Sequence, residues 1–313
     1  MRYVAVRIAG GLLTIFVSSL LVFSMIRLIP GDPAAAIMGR AYDPELAHLL
    51  RIRLGLEGSF IQQYSSWMGA VLHGDFGYSF INGAPVGAQL QARLIRTLQL
   101  LAGGITIGLL ISIPAGIISA RHKGKWRDGG IMAFTTLMLS IPQFVLGILL
   151  IYIFAVRLHL LPAGGWIDPE QNLNGWFKAM ILPWLCVGMA MSAFTSRVLR
   201  ASILEAKNMD YVRTARSWGL SEREIERKHI FKNASAPTLT VVGLEIGYLL
   251  GGAFVIEKVF AYPGIGQLTV DSISGRDYPM VQAAVLLFAT GFVIVNIIVD
   301  IAYSFIDPRI RQK

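Results

Sequence analysis

Long apolar runs alternate with short charged stretches along this chain, and the apolar runs set its frame. Residues 8–29, 98–120, 129–156, 180–195, 238–259 and 280–304 each read as membrane spans. A span needs roughly 20 predominantly apolar residues to cross the hydrocarbon core of a bilayer. Six such segments predict an all-α integral membrane protein with six transmembrane helices. The first run competes with a cleaved signal peptide, since Ala34-Ala35-Ala36 offers small residues at a cleavage position. It is too long for a signal core, so it reads as an uncleaved anchor. Pro30-Gly31-Asp32-Pro33 stops the first helix, Pro114 lies inside the second span, and Ser140-Ile141-Pro142 interrupts the third. A proline there frees a backbone carbonyl and permits a kink.

The polar segments carry their own patterns. Residues 43–56 have helical periodicity, residues 62–72 are amphipathic and rich in aromatics, and Gly74-Asp75-Phe76-Gly77-Tyr78-Ser79 is a turn cluster. The strongest polar segment is 200–237, with acids Glu205, Asp210, Glu222, Glu224 and Glu226 among basic residues that include Arg200, Lys207, Arg213 and Arg216, with Arg197 just before it. Leu204, Tyr211, Ala215 and Trp218 recur at helical spacing. Gly219 ends this helix as a C′ glycine does. Ser221 followed by Glu224 predicts a capping box opening a second helix, which Asn233 and Pro237 end before the return to the membrane. An apolar, aromatic face inside a charged loop has nothing of its own to pack on. The expectation is a helix–turn–helix platform that presents a docking surface.

Charge gives the orientation. The chain of 313 residues is 54% hydrophobic and only 15% charged, with a net charge of +9. A soluble domain carries about 25% charged residues. Segments 1–8, 121–128, 197–236 and 305–313 hold 18 of the 28 Lys and Arg residues. Such an excess marks cytoplasmic loops and puts both termini inside. The basic balance thus reflects topology rather than nucleic-acid binding. The single cysteine, Cys186, rules out an intrachain disulfide and reads as a small buried apolar residue.

Catalytic chemistry has no motif here. The chain has no phosphate-binding loop, no HExxH and no GxSxG, so it is expected to bind no cofactor and no metal itself and to be a non-enzyme. The five histidines lack metal-ligand spacing. Gly243, Gly247 and Gly251 form a small-residue ridge for close helix packing, within the subunit or at a subunit interface. Glu245 stands roughly opposite that ridge. A carboxylate inside a span is costly and by default faces a cavity or a partner. Glu257 and adjacent Lys258 either neutralise each other or belong to a structural re-entrant turn. Asp300, near the end of the last span, suggests a cap or an ion pair.

Four blocks carry a family resemblance: Pro30-Gly31-Asp32-Pro33-Ala34; the 53–98 region with Arg53-Leu54-Gly55-Leu56, Gly74-Asp75-Phe76-Gly77 and Arg96-Thr97-Leu98; Glu205-Ala206 through Asp210-Tyr211-Val212-Arg213-Thr214-Ala215-Arg216 to Gly219; and Tyr262-Pro263-Gly264 with Arg276-Asp277-Tyr278-Pro279 and Asp307-Pro308-Arg309. In this order they resemble ABC importer permeases of the dipeptide/oligopeptide/nickel branch. The resemblance implies a first transmembrane helix over 1–29, an extracytoplasmic scoop-like loop over 30–97, and a five-helix permease core over 98–313 with a coupling loop at 197–237. It further implies a bacterial inner-membrane subunit with four kinds of partner: a homologous permease, two ATPase subunits that bind ATP and Mg, an extracytoplasmic binding protein, and lipid. Glu205, Ala206, Asp210, Tyr211, Arg213, Thr214, Ala215, Arg216 and Gly219 would couple ATP hydrolysis to transport. Glu245, Glu257 and Pro142 are the pathway or gate candidates, although the family often has Gln at the position of Glu245. Small peptides are the leading substrate class, with glutathione and nickel chelates as alternatives within the same architecture. A stand-alone secondary transporter, with Glu245 and Asp300 as ion sites, is the alternative of a different class.

Overall fold

The computed structural model describes residues 2–28, 38, 43–53 and 57–306; the expected turn at 30–34 and the tail at 307–309 lie outside the described residues. The chain is helical, and the strand-like pairing among the described residues is an isolated bridge between Tyr78 and Pro85. The helices are α1 (Arg2–Leu28), α2 (Pro44–Arg53), α3 (Phe60–Leu72), α4 (Val86–Arg121), α5 (Trp126–Ser140) and α6 (Gln143–Leu150), which passes into a π-helical turn over Ile151–Arg157. They continue as α7 (Leu173–Lys207), α8 (Asp210–Ser217), α9 (Glu222–Ile225), a π-helical turn over Glu226–Ile230, α10 (Phe231–Val259), α11 (Ile265–Ser274) and α12 (Tyr278–Ile306).

Five helical units are long and apolar enough to cross a membrane: α1, α4, α7, the continuous run from α9 through α10, and α12. The pair α5 and α6 makes a sixth if its two arms count as one span, and those arms are bent by 104°. The kink expected at Pro142 is therefore close to a right angle. Pro142 has no N–H, and its ring pushes the preceding residue out of the helical region; Ile141 is extended, at φ −88° and ψ 122°.

Several boundaries differ from the pattern of apolar runs, for one reason. In lipid every backbone group needs an internal partner, so helices continue past the ends of their apolar windows. The second spanning helix starts at Val86 rather than near 98. The fourth runs from Leu173 to Lys207, so Leu204 and Glu205 sit on the spanning helix and not on the platform helix. The second platform helix does not end at Asn233 or Pro237; it continues through Pro237 to Val259. Breaking it there would strand several backbone groups, whereas Pro237 forfeits one hydrogen bond. The Asn233 side-chain amide donates to the His229 carbonyl at 2.7 Å.

Close backbone approach holds the bundle together. On α4, Gly104, Gly108, Ser112 and Gly116 are all buried at four-residue spacing. A Cβ on Gly104 would lie 2.5 Å from Val187, and one on Gly188 of α7 would lie 2.9 Å from the Gly104 carbonyl oxygen. Packing at this distance replaces the hydrophobic drive that lipid cannot supply between apolar helices. The ridge on α10 splits in use. Gly243 abuts Val299 and Gly247 abuts Phe292, both on α12, while Gly251 faces open space. Helix α1 packs on α12, with Gly11 against Val293 and Arg7 Nε 3.2 Å from Asp300 Oδ2. The ion pair expected of Asp300 is thus present. The aromatic face of α3 lies on α1, where Phe23 meets Phe60, Tyr64 and Trp67 and Ser19 Oγ is 2.7 Å from Tyr64 Oη. Cys186 is fully buried, its Sγ 3.4 Å from the Gln143 carbonyl.

At the charged end of the bundle, Asp128 draws four segments together. Arg200 of α7 donates to both its carboxylate oxygens, from Nε and Nη2, at 2.8 Å each. Ser119 of α4 donates to Oδ1, and the Gly124 amide donates to Oδ2 at 2.9 Å. The aspartate side chain is 7% exposed and the arginine side chain 22%. Removing one partner leaves the other charge buried and unmatched, while replacing both with apolar groups relieves it. Asp128→Leu is expected to destabilise the chain by about 3 kcal/mol, and Asp128→Leu with Arg200→Met to recover at least half of that. Thermal unfolding of the four species of the cycle in detergent tests this; an additive double variant would show that the two side chains do not act as a pair.

Candidate functional site

The charged platform is built on a short helix between two long ones. Helix α7 ends where the Asn208 amide donates to the Glu205 carbonyl at 3.0 Å. Met209 is extended, and α8 starts at Asp210. It ends at Trp218, and Gly219 takes φ +78° to reverse the chain. A left-handed residue of this kind is the common helix stop, and glycine adopts it without a Cβ clash. The Gly219 and Leu220 amides donate back to Arg216 and Ala215. Ser221 Oγ then accepts from the Glu224 amide at 3.3 Å to open α9. The second arm of the expected capping box is replaced, because the Glu224 carboxylate accepts from Lys228 Nζ at 2.7 Å instead.

The aliphatic part of the platform's apolar face has a home within the chain, which corrects the expectation that the face had nothing to pack on, whereas its aromatic residues Tyr211 and Trp218 stay exposed. Val212 and Ala215 of α8 are buried with Ile225, Ile230 and Ala234 against Ala120 of α4 and Leu199, Ile203 and Ala206 of α7. The reason is the sharp turn at Gly219, which folds the return helix under α8. Polar clamps reinforce this layer. Glu226, in the π turn, accepts from Arg121 Nη2 at 2.6 Å and lies 3.2 Å from Lys207 Nζ, so the start of the α10 unit is tied to the ends of both α4 and α7. Arg216 Nε donates to Glu222 at 2.7 Å across the turn, and this bond raises the arginine pKa further.

The outward side of α8 carries a different set. Asp210 and Arg213 are highly exposed and 3.6 Å apart, Thr214 is exposed, and the flanking Met209 and Trp218 at the two ends of the helix are exposed, Trp218 by 78%. Tyr211 lies at the edge, where burial raises its pKa and a hydrogen bond with the Asn233 side chain opposes that rise. Of the predicted coupling residues, Glu205, Asp210, Tyr211, Arg213, Thr214 and Arg216 are exposed, Ala206 and Ala215 are buried, and Gly219 forms the turn. Val212 was not among them. Its buried β-branched side chain lies three residues before Ala215, a helical spacing visible in the sequence.

The pathway candidates fall at three different places. Glu245 of α10 is half-buried and accepts from Thr195 Oγ1 of α7 at 2.6 Å. Next to it, Leu244, Tyr248 and Gly251 leave one face of α10 uncovered within the chain. Pro142 forms the corner between α5 and α6. Glu257 is fully buried and holds the opposite end of the bundle together. It accepts from Thr97 Oγ1 at 2.6 Å and from the Gln267 amide at 2.8 Å, while Thr97 Oγ1 accepts from the Ile265 amide at 2.9 Å. Glu257 and Lys258 do not neutralise each other, because consecutive residues on a helix face different ways; Lys258 reaches Asp271 at 3.4 Å. A Cβ on Gly264 would lie 2.0 Å from Glu257 Oε1, so the Tyr262-Pro263-Gly264 turn is shaped around this carboxylate. Tyr262 Oη donates to the Arg96 carbonyl at 2.8 Å, and burial raises the pKa of that phenol. Asp277 does similar work nearby, accepting from Ser79 Oγ and from the Phe80 amide at 3.1 Å, which joins the 74–85 turn to the start of α12.

Residues 112–312 match the family model described as "Binding-protein-dependent transport system inner membrane component", and residues 1–101 match that of its N-terminal part. The chain belongs to this family. It is a permease subunit of an ABC importer and a multi-pass inner-membrane protein. The glutathione transport system permease protein GsiC of Escherichia coli (strain K12) is 39% identical over 313 residues, covering the whole of both chains, and the GsiC of Shigella dysenteriae serotype 1 matches to the same extent. A solved structure of the MetNI methionine ABC transporter in an inward-facing conformation shares the fold, with a TM-score of 0.56 and 19% identity over 70% of this chain and 96% of that one. The permease family and the helical membrane fold expected from the four sequence blocks are both present.

The two faces of α8 make opposite demands. Val212→Asp would bury an unmatched carboxylate and is expected to cost at least about 3 kcal/mol. Trp218→Ala is expected to change stability by no more than about 0.5 kcal/mol. Unfolding temperatures of the two variants in detergent check the assignment, and a large loss at Trp218 would reverse it.

Proposed function

We propose that this permease forms half of a transmembrane pathway together with a homologous but distinct permease. Two separate ATPase subunits, which bind ATP and Mg, dock on the paired platforms, and an extracytoplasmic binding protein delivers the substrate. The observation that carries the reading is the construction of α8. Its inner face is locked to α4, α7 and α10, while Met209, Tyr211, Arg213 and Trp218 face outward from a rigid base. An exposed tryptophan and an exposed arginine on one short helix are residue types enriched at interface hot spots. Force applied there reaches three spanning helices through Ala215, Val212 and the Glu226 clamp. The platform is cytoplasmic, as the basic residues around it favour, and both termini lie on that side. The 30–97 segment is the extracytoplasmic scoop, held to the outer mouth by Asp277 and by the Glu257 cap, with α4 emerging from it at Val86.

The substrate is a small peptide, and a glutathione-like tripeptide fits the full-length similarity to glutathione permeases; nickel chelates are the further candidates within this architecture. Glu245 lines the pathway beside the uncovered face of α10, where the second permease would sit. A carboxylate at that depth suits the ammonium group of a peptide, and Pro142 supplies the corner at which the α5–α6 pair opens.

The whole transporter reconstituted in vesicles, with its binding protein, tests both parts. Gly219→Pro cannot adopt φ +78° and is expected to leave membrane insertion intact and ATP hydrolysis measurable while uptake falls at least about tenfold. Normal uptake by that variant would remove the docking role. Glu245→Ala is expected to lower peptide uptake by about tenfold with ATPase activity retained. Unchanged uptake would take Glu245 off the pathway without touching the platform.

A further inference from the structure

An open cleft of about 520 Å³ lies between the charged ends of α4, α7 and the α10 unit. Its floor is apolar, formed by Ile117, Ile203, Ile230 and Phe231, and Phe231 is 38% exposed. Its rim is basic. Arg121 on that rim is already matched by Glu226, which Lys207 also approaches at 3.2 Å. Arg223 and Arg227 also line the rim, are exposed, and have no acidic partner among the described residues. The cleft therefore joins an uncompensated double positive charge to a greasy floor.

Its depth is fixed by the neighbouring chain. Trp126 starts α5 and is 81% exposed, with Arg127 next to it on the helix and Lys123 and Lys125 just before it. An exposed tryptophan among lysines and arginines at the end of a span is the composition of the headgroup level of a bilayer. We infer that the cleft binds an anionic phospholipid of the adjacent leaflet, its phosphate on Arg223 and Arg227 and its glycerol region on the isoleucine and phenylalanine floor. A free phosphate would use the arginines but gain nothing from the floor. Basic pockets between spanning helices hold anionic headgroups in this way. The site is separate from the substrate pathway and from the outward face of α8, so the transport reading does not enter the argument.

The transporter purified in mild detergent, with whatever subunits accompany the chain, is titrated with phosphatidylglycerol or with phosphatidylcholine of the same acyl chains. Native mass spectrometry counts the lipid retained. Phosphatidylglycerol is expected to be held at least about tenfold more tightly, since each surface cation contributes about a factor of five. Arg223→Gln with Arg227→Gln is expected to abolish that preference without changing the unfolding temperature of the lipid-free protein, because both side chains are exposed. Phe231→Ser is expected to weaken both lipids alike. Equal retention of the two lipids by the unaltered protein would overturn the proposal, as would an undiminished preference in the arginine variant. Displacement of the lipid by inorganic phosphate would make the cleft a simple anion site. Lipid retained only after the ATPase subunits are stripped away would make it a protein interface.

Discussion

The packing of α4 on α7 is the constraint to which everything else in this chain is fitted. Two apolar helices in a bilayer gain nothing by hiding from water, so they must gain by contact. Gly104, Gly108 and Gly116 on one side and Gly188 on the other bring the two backbones close enough for that contact to hold along most of their length. Both helices are long, 36 and 35 residues; α4 starts well before its apolar run and α7 extends past its own at both ends. The paired helices are thus a spine. The platform is bolted to one end of it and the Tyr262-Pro263-Gly264 turn to the other.

The two ends are secured by different chemistry. At the charged end, Asp128 holds Arg200 in a two-point ion pair and Glu226 gathers Arg121 and Lys207 from separate helices, so the fixings are ionic and directional. At the other end the carboxylates of Glu257 and Asp277 are answered by hydroxyls and backbone amides. These bonds shape loops rather than join charges. They hold the turn at Tyr262-Pro263-Gly264, the start of α11 and the start of α12 in one layer.

The spans and the platform turn were legible in the sequence because their signals are local. Apolar runs announce helices, Gly219 announces a reversal, and Ser221 announces a helix start. The ends of the helices were not legible, because a helix in lipid stops where its backbone finds partners and not where hydropathy falls; α4 and α7 both outrun their apolar windows. The spacing of Gly104, Gly108, Ser112 and Gly116 is as regular as that of Gly243, Gly247 and Gly251, yet only packing reveals which ridge is continuous and which leaves its last glycine open. Which face of α8 points inward depends on the return helix folding beneath it, a tertiary fact. Arg200, which pairs Asp128, and Thr97, which donates to Glu257, lie 72 and 160 residues away, beyond the reach of any local pattern.

The uninterrupted run from Glu222 to Val259 has a mechanical consequence. It is 38 residues long, about 57 Å at the rise of a helix. One end sits under the platform and the other carries Glu257 at the opposite mouth. Taken as straight through its π turn and Pro237, a helix of that length tilted by about 5° moves its far tip by about 5 Å relative to its near one. A small tilt at the charged end is thus carried to the Glu257 end as a displacement several times the rise of one helical residue, with no helix needing to unwind.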